Sequence, residues 1–178
     1  GYTTEEGEPS SDKIDRVYAF AKEQQVDGIV GFGGGSTMDT AKFLGLMLAN
    51  GGQAHEYLGY ANNKADKRFS PIITMPTTSG TGAEVTSGLV CTNDKLNQKT
   101  ATMSSVTYSI VDPGYTLGLP QGFTASTGID ALAHAVESAV NTKDMQHWIA
   151  DTLGAECIRL CYKWLPVACA DGKNLEAR

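Results

Sequence analysis

The sequence predicts an α/β layer fold that gives way to an all-helical segment. Three observations carry this. Two short apolar runs, GIVGF (28–32) and PIITMPTT (71–78), each lead into a glycine-rich turn, GGGS and SGTG. Stretches of helical period flank the first run, and such alternation places helices against parallel strands. Past a Pro- and Gly-containing stretch, DPGYTLGLP (112–120), every remaining pattern has helical period.

Taken in order, residues 1–10 are polar and loop-like. Ser10 or Ser11 offers a hydroxyl cap to a helix running to about Gln25, with Ile14, Val17, Tyr18 and Ala21 as its inward stripe. GIVGF has the length and glycine flanks of a buried parallel strand. A second helix is expected from Thr37 to about Ala49, ended by NGG. A polar connection (60–70) leads to PIITMPTT, read as a second buried strand. Three β-rich stretches follow, at about 85–92, 98–103 and 106–111, with turn signals at NDKLN and SS. The 112–120 stretch is a linker. Helices are expected over 122–140 and 144–165. The change of composition at the linker sets a domain boundary, giving 1–116 and 117–178.

The chain has 178 residues and is 41% hydrophobic, enough for a real core. Its glycines cluster in turns rather than at a fixed period, which excludes a collagen-like repeat. The net charge of -6 argues against nucleic acid or an anionic membrane as partner, since both want a basic patch. A small anion remains possible, because backbone N–H groups bind phosphate without Lys or Arg. Cys91, Cys157, Cys161 and Cys169 form no CxxC pair. Cys157 and Cys161, four apart on an apolar helix, read as free thiols in a core, and the usage fits a reducing cytoplasm. No secretory apolar region and no run long enough to span a bilayer is present. The chain opens on Gly in a polar stretch and closes on NLEAR, which reads as mid-helix, so both ends look cut and an internal fragment is expected.

Three motifs carry chemistry. In GFGGGSTMDTAK (31–42), three glycines between strand and helix let N–H groups approach a phosphate, although a plain turn would use glycine too. The pattern is neither GxGxxG nor a P-loop. Asp39 lies early on the following helix, where the macrodipole favours an acid whatever its role. In PTTSGTGAE (76–84), the hydroxyls of Thr77, Thr78, Ser79 and Thr81 can serve a ribose or phosphate, or their own turn. In GIDALAHAVES (128–138), Ile129, Leu132, Ala133 and Val136 read as a buried face, yet Asp130 and His134 stand four apart on one side. Two such ligands can face one metal ion, and a carboxylate with an imidazole suits Fe(II), Zn(II) or Mn(II). A simple Asp–His hydrogen bond is the alternative. His55 and His147 read as surface residues.

Together these segments resemble the iron-containing (group III) alcohol dehydrogenases. The resemblance rests on GGGSTMDTAK (33–42), PTTSGTGAEVT (76–86) and SIVDPGYTLGLPQGFTASTGIDALAHAVES (109–138). It implies a partial Rossmann-like dinucleotide-binding domain with a small β-hairpin region. After it would come the start of an all-α metal-binding domain of the dehydroquinate synthase-like fold. By resemblance, Gly33, Gly34, Gly35 and Ser36 would hold the pyrophosphate of NAD or NADP. Thr77, Thr78 and Ser79 would line its adenosine and ribose, and Lys99 and Leu117 would complete the cofactor lining. Asp39 would lie near the nicotinamide ribose and act at the substrate end. Asp130 and His134 would be two of four ligands to Fe(2+), or alternatively Zn(2+). Relatives supply two more histidines from later helices, and neither His55 nor His147 matches them.

The implied activity is metal-dependent hydride transfer between a small alcohol and an aldehyde or ketone, with NAD(P). The expected protein is cytoplasmic and a homo-oligomer at full length. Two alternatives stay open: a nucleotide-binding piece without catalysis, and a related hydroxyacid or glycerol dehydrogenase.

Overall fold

The computed structural model describes residues 1–4, 7–59, 65–69, 71–141 and 147–178. Most of the expected 60–70 connection, and the expected start of the last helix at 144, lie outside these residues. The described chain forms two compact units. One comprises Gly1–Pro76 with Ala83–Val111, the other Thr77–Gly82 with Asp112–Arg178.

The first unit is α/β. Helix α1 (Ser11–Glu23) is followed by strand β1 (Ile29–Gly33), helix α2 (Gly35–Asn50) and strand β2 (Ile72–Pro76). β1 and β2 pair in parallel with Gly33 opposite Pro76, so the turns that follow them leave from one sheet edge. Strands β3 (Gly88–Asn93) and β4 (Gln98–Met103) form an antiparallel hairpin, and β5 (Tyr108–Ser109) joins β2 in parallel, giving the order β1-β2-β5. The β1-α2-β2 unit is thus Rossmann-like, with the hairpin inserted after it.

Why these elements pack is visible at Gly31. A Cβ on Gly31 would lie 2.8 Å from Ala41 Cβ, so α2 rests against β1 closely enough to exclude any side chain there. Burial of Val17, Ala21, Ile29, Ala41, Leu44 and Ile72 builds one core. Ile14, Phe43, Met47, Leu89 and Cys91 carry it on to the hairpin. Fully burying such side chains contributes about 1.5–3 kcal/mol each.

β1 departs from its expected full burial. Ile29 and Gly31 point inward, but Val30 and Phe32 are 60% and 54% exposed. Only one face of the strand is covered by α1 and α2 among the described residues, so the run alternates although its sequence is apolar throughout. The cap of α1 also differs. Ser10 makes no side-chain cap bond. Instead Asp94, from the β3–β4 turn, accepts from the Asp12 N–H (2.8 Å) and the Ser11 hydroxyl (3.1 Å). A carboxylate from distant sequence does what the local hydroxyl was expected to do.

The second unit is helical: a short 3-10 turn (Pro113–Thr116), α3 (Gln121–Val140) and α4 (Trp148–Ala170). Its packing corrects the expected face of α3. Ile129 and Val136 are largely exposed, while Thr124, Gly128 and Ala135 are buried. Small residues let the helices approach: a Cβ on Gly128 would lie 2.3 Å from Leu165 Cδ1. Apolar residues occur around most of α3, so periodicity alone chose the wrong stripe. α4 also runs past its expected end at 165. It continues through Pro166 to Ala170, since Leu165 and the buried Ala168 belong to its packed face. Burial there outweighs the backbone bond that the proline removes. NLEAR, expected as mid-helix, lies in turns, tied by the Ala177 N–H to the Asn174 side chain.

The thiols divide. Cys91 is buried, and desolvation pushes its pKa up to about 12, helped by Asp94, Asp15 and Asp39. Cys157 and Cys161 are only half-buried, which corrects their expected place in a core, and Cys169 is half-buried as well. Among the described residues, no helix is long and apolar enough to cross a membrane.

Candidate functional site

The glycine turn lies in the first unit. Gly34 caps α2 with extended backbone (φ -78°, ψ -176°), and the helix begins at Gly35 rather than at Thr37. Thr37 and Met38 donate back to the Gly34 carbonyl at 3.0 and 3.1 Å. The first helical N–H groups, on Gly35 and Ser36, have no intrahelical acceptor by the geometry of any helix start. No acid occupies the first turn of α2, so its positive end is left for an anion. A Cβ at Gly33 would meet Thr37 Oγ1 at 2.6 Å and Thr37 Cβ at 2.8 Å. Glycine is therefore required at position 33 by packing, whatever binds the turn.

Asp39 is tied inward. Its Oδ2 accepts from the Val90 N–H at 3.0 Å, and its Oδ1 lies 2.9 Å from the ammonium of Lys42. That contact is an ion pair outside hydrogen-bond geometry. Lys42 is fully buried and donates to the carbonyls of Gly88 (2.7 Å) and Thr86 (3.3 Å). The pair pins α2 to the start of β3. Lys99, on β4, forms an ion pair with Glu8, both side chains 58% exposed.

The second unit holds the acid and the imidazole. Asp130 and His134 occupy the α3 side that also carries Thr127, away from Thr124, Gly128 and Ala135, and their side chains are 43% and 54% exposed. The Thr77–Gly82 segment lies on this side. Ser79 Oγ is 3.1 Å from Thr127 Oγ1. Thr127 spends its own proton on the Phe123 carbonyl (2.8 Å), so Ser79 is the donor. His134 Nδ1 lies 3.1 Å from the Gly80 carbonyl oxygen and 3.8 Å from Asp130 Oδ2. Thr77 and Thr78 are half-buried at the start of the same segment, and Leu117 ends the 3-10 turn, 37% exposed.

Asp130 and His134 fit a divalent ion as two donors, a carboxylate and an imidazole with Nε2 turned away from the carbonyl. Among the described residues no group of three or more His, Cys, Asp or Glu is placed to hold a metal. His55 lies against Lys95 Nζ through Nε2 (3.1 Å), and His147 caps α4, its Nδ1 accepting from the Ile149 N–H (3.3 Å). Both have structural tasks. The His147 cap went unread because imidazole is an uncommon N-cap.

Two family profiles match the chain. Residues 2–113 match "Iron-containing alcohol dehydrogenase", and residues 124–178 match "Fe-containing alcohol dehydrogenase family, C-terminal". The chain belongs to the iron-containing alcohol dehydrogenase family. It is 35% identical over 174 residues to the NAD-dependent methanol dehydrogenase of Bacillus methanolicus, covering 96% of this chain and 45% of that protein. It is 38% identical over 180 residues to the sulfoacetaldehyde reductase of Bilophila wadsworthia, covering 99% and 46%. Among solved structures, the sulfoacetaldehyde reductase of Bifidobacterium kashiwanohense in complex with NAD+ superposes with a TM-score of 0.90 at 34% identity, over 99% of this chain and 47% of that one. The chain thus spans just under half the length of these relatives.

Proposed function

We propose that this chain carries the cofactor cradle and two of the metal ligands of an NAD-dependent alcohol dehydrogenase acting on a small alcohol or aldehyde. The observation that carries the reading is the acid–imidazole pair of α3. An apolar helix presents Asp130 and His134 on one half-exposed side, with the His134 ring held by a backbone carbonyl. The relatives' names support the chemistry. None of the relatives named above is a glycerol or hydroxyacid dehydrogenase.

Each residue has a task in this reading. Gly33, Gly34, Gly35 and Ser36 bind the pyrophosphate through backbone N–H groups and the positive end of α2. Thr77, Thr78 and Ser79 serve the ribose and adenosine side, with Lys99 and Leu117 at the margins. Asp39 fixes the start of β3 against α2 and sets the substrate end of the cofactor site. Asp130 and His134 hold the ion. When bound, the ion supplies Lewis acidity to an alcohol oxygen and the nicotinamide supplies a hydride acceptor. The protein's share is orientation of the two reactants.

The cofactor proposed is NAD, with NADP as the alternative. The ion proposed is Fe(2+), with Zn(2+) as the alternative, since one carboxylate and one imidazole suit both. A cytoplasmic, homo-oligomeric enzyme completes the proposal, and the four free thiols fit such a compartment. A second reading, nucleotide binding without turnover, is favoured by one observation: the two donors stand without a third among the described residues. The test is alcohol-dependent reduction of NAD+ by the protein carrying this chain, with Asp130→Ala and His134→Ala. The proposal expects metal-dependent turnover lost in both variants. Turnover that persists in either one, or that needs no metal, refutes it.

A further inference from the structure

We infer that Gly80 is a positioning residue for the metal ligands, a role resting on the proposed function above. The backbone of the Thr77–Gly82 segment, besides its hydroxyls, is part of the metal site. A carbonyl oxygen can only accept. At 3.1 Å from Gly80 O, Nδ1 of His134 must therefore carry the proton. In the neutral ring that leaves Nε2 with its lone pair, ready for an ion. Asp130 does not do this work, because its Oδ2 stands at 3.8 Å from Nδ1, beyond hydrogen-bond range. Both carboxylate oxygens of Asp130 stay available. The carbonyl thus separates two jobs that an Asp–His hydrogen bond would merge.

The absence of a side chain at position 80 is equally needed. Gly80 has φ +102°, a conformation that disfavours any residue with a Cβ. A Cβ built there would lie 2.4 Å from the Thr127 carbonyl oxygen, 2.8 Å from Asp130 Oδ2 and 3.1 Å from Asp130 Cβ. Backbone atoms of α3 cannot yield cheaply, so an alanine must push the segment off the helix. That one movement would withdraw the carbonyl from His134 and disturb Asp130 together. Partners that orient ligands in this way typically change metal affinity about 10–100-fold when altered. The Ser79–Thr127 hydrogen bond (3.1 Å) holds the segment in register one residue earlier.

The experiment is a long-range 1H–15N spectrum of the His134 ring in the protein carrying this chain, metal-free at pH 8, and again with millimolar Zn2+. The inference expects Nδ1 protonated and Nε2 bare, with Zn2+ shifting Nε2 and leaving Nδ1–H in place. Gly80→Ala should move the ring toward the Nε2–H form and weaken Zn2+ binding about tenfold or more. An Nε2–H ring in the unaltered chain, Zn2+ at Nδ1, or a Gly80→Ala spectrum identical to wild type overturns the inference alone. Zn2+ that perturbs neither nitrogen overturns the metal reading of Asp130 and His134, and the inference with it. If Gly80→Ala does not fold, the unaltered chain still decides through its tautomer and its Zn2+ response.

Discussion

Removing the charge of Asp39 while keeping its shape should cost the α/β unit about 3 kcal/mol. The perturbation is Asp39→Asn, which retains an oxygen to accept from the Val90 N–H. What it removes is the partner of Lys42, whose ammonium is fully buried 2.9 Å away. At that separation and an effective dielectric near 20, the attraction is about 6 kcal/mol. Desolvation offsets part of it, and breaking one half of a buried pair costs about 3–5 kcal/mol in practice. The Gly88 and Thr86 carbonyls still solvate the ammonium, which places the loss at the lower end. Lys42→Met should cost a similar amount. The double variant should fall at least about 2 kcal/mol short of the sum, because removing both charges leaves none stranded. The assay is native-state amide exchange at Leu89, Val90 and Cys91. Both tryptophans, Trp148 and Trp164, lie on α4, so their fluorescence reports the helical unit separately. Additive losses, or an Asp39→Asn variant as stable as wild type, would refute the buried-pair reasoning.

Other consequences follow from the same geometry. Asp94→Ala should cost about 1 kcal/mol, the worth of a helix cap, read from amide exchange along α1. The Asp12 N–H, then the Ser10 and Ser11 hydroxyls and Arg16, hold the Asp94 carboxyl below its usual range. A lowered folded-state pKa stabilises above the ordinary carboxylate pKa, and that contribution disappears as pH falls through the folded value. Wild type should therefore lose it only below about pH 4, and Asp94→Ala should have a flatter acid profile there. Gly34→Val should leave the α/β unit folded, at the modest cost of replacing an N-cap glycine, and weaken NAD+ binding by at least tenfold, about 1.4 kcal/mol, by calorimetry. Equal affinity in that variant would remove the pyrophosphate assignment. Gly128→Ala should destabilise α3 against α4, with overpacking of about 1–3 kcal/mol partly offset by a helix-propensity gain of about 1 kcal/mol. Leu165→Ala in the same chain should relieve the clash, as followed by tryptophan fluorescence in urea.

The strands, glycine turns and helices were legible because their signals are local. GIVGF followed by GGG announces a strand end and a helix start, and the structure needs glycine at positions 31 and 33 for the close approach of α2. The acid and imidazole on α3 were legible by spacing. Long-range contacts were not. Nothing near Lys42 in sequence says that it is buried against Thr86 and Gly88, more than forty residues on. Likewise SGTG announced a turn, while the use of the Gly80 carbonyl depends on a helix fifty-four residues away. The exposed side of β1 and the packed side of α3 were misread for a related reason. Where apolar residues occur on more than one face, periodicity does not say which face has a neighbour.

Metal content decides most directly whether Asp130 and His134 are ligands. The protein carrying this chain would be loaded anaerobically with Fe(2+), desalted and measured for iron per chain beside Asp130→Ala and His134→Ala. The account predicts one tightly held ion in wild type and loss of it in both variants, each still folded by circular dichroism. Stoichiometric iron retained by either variant would contradict the account, leaving the pair as an ordinary polar contact on a helix.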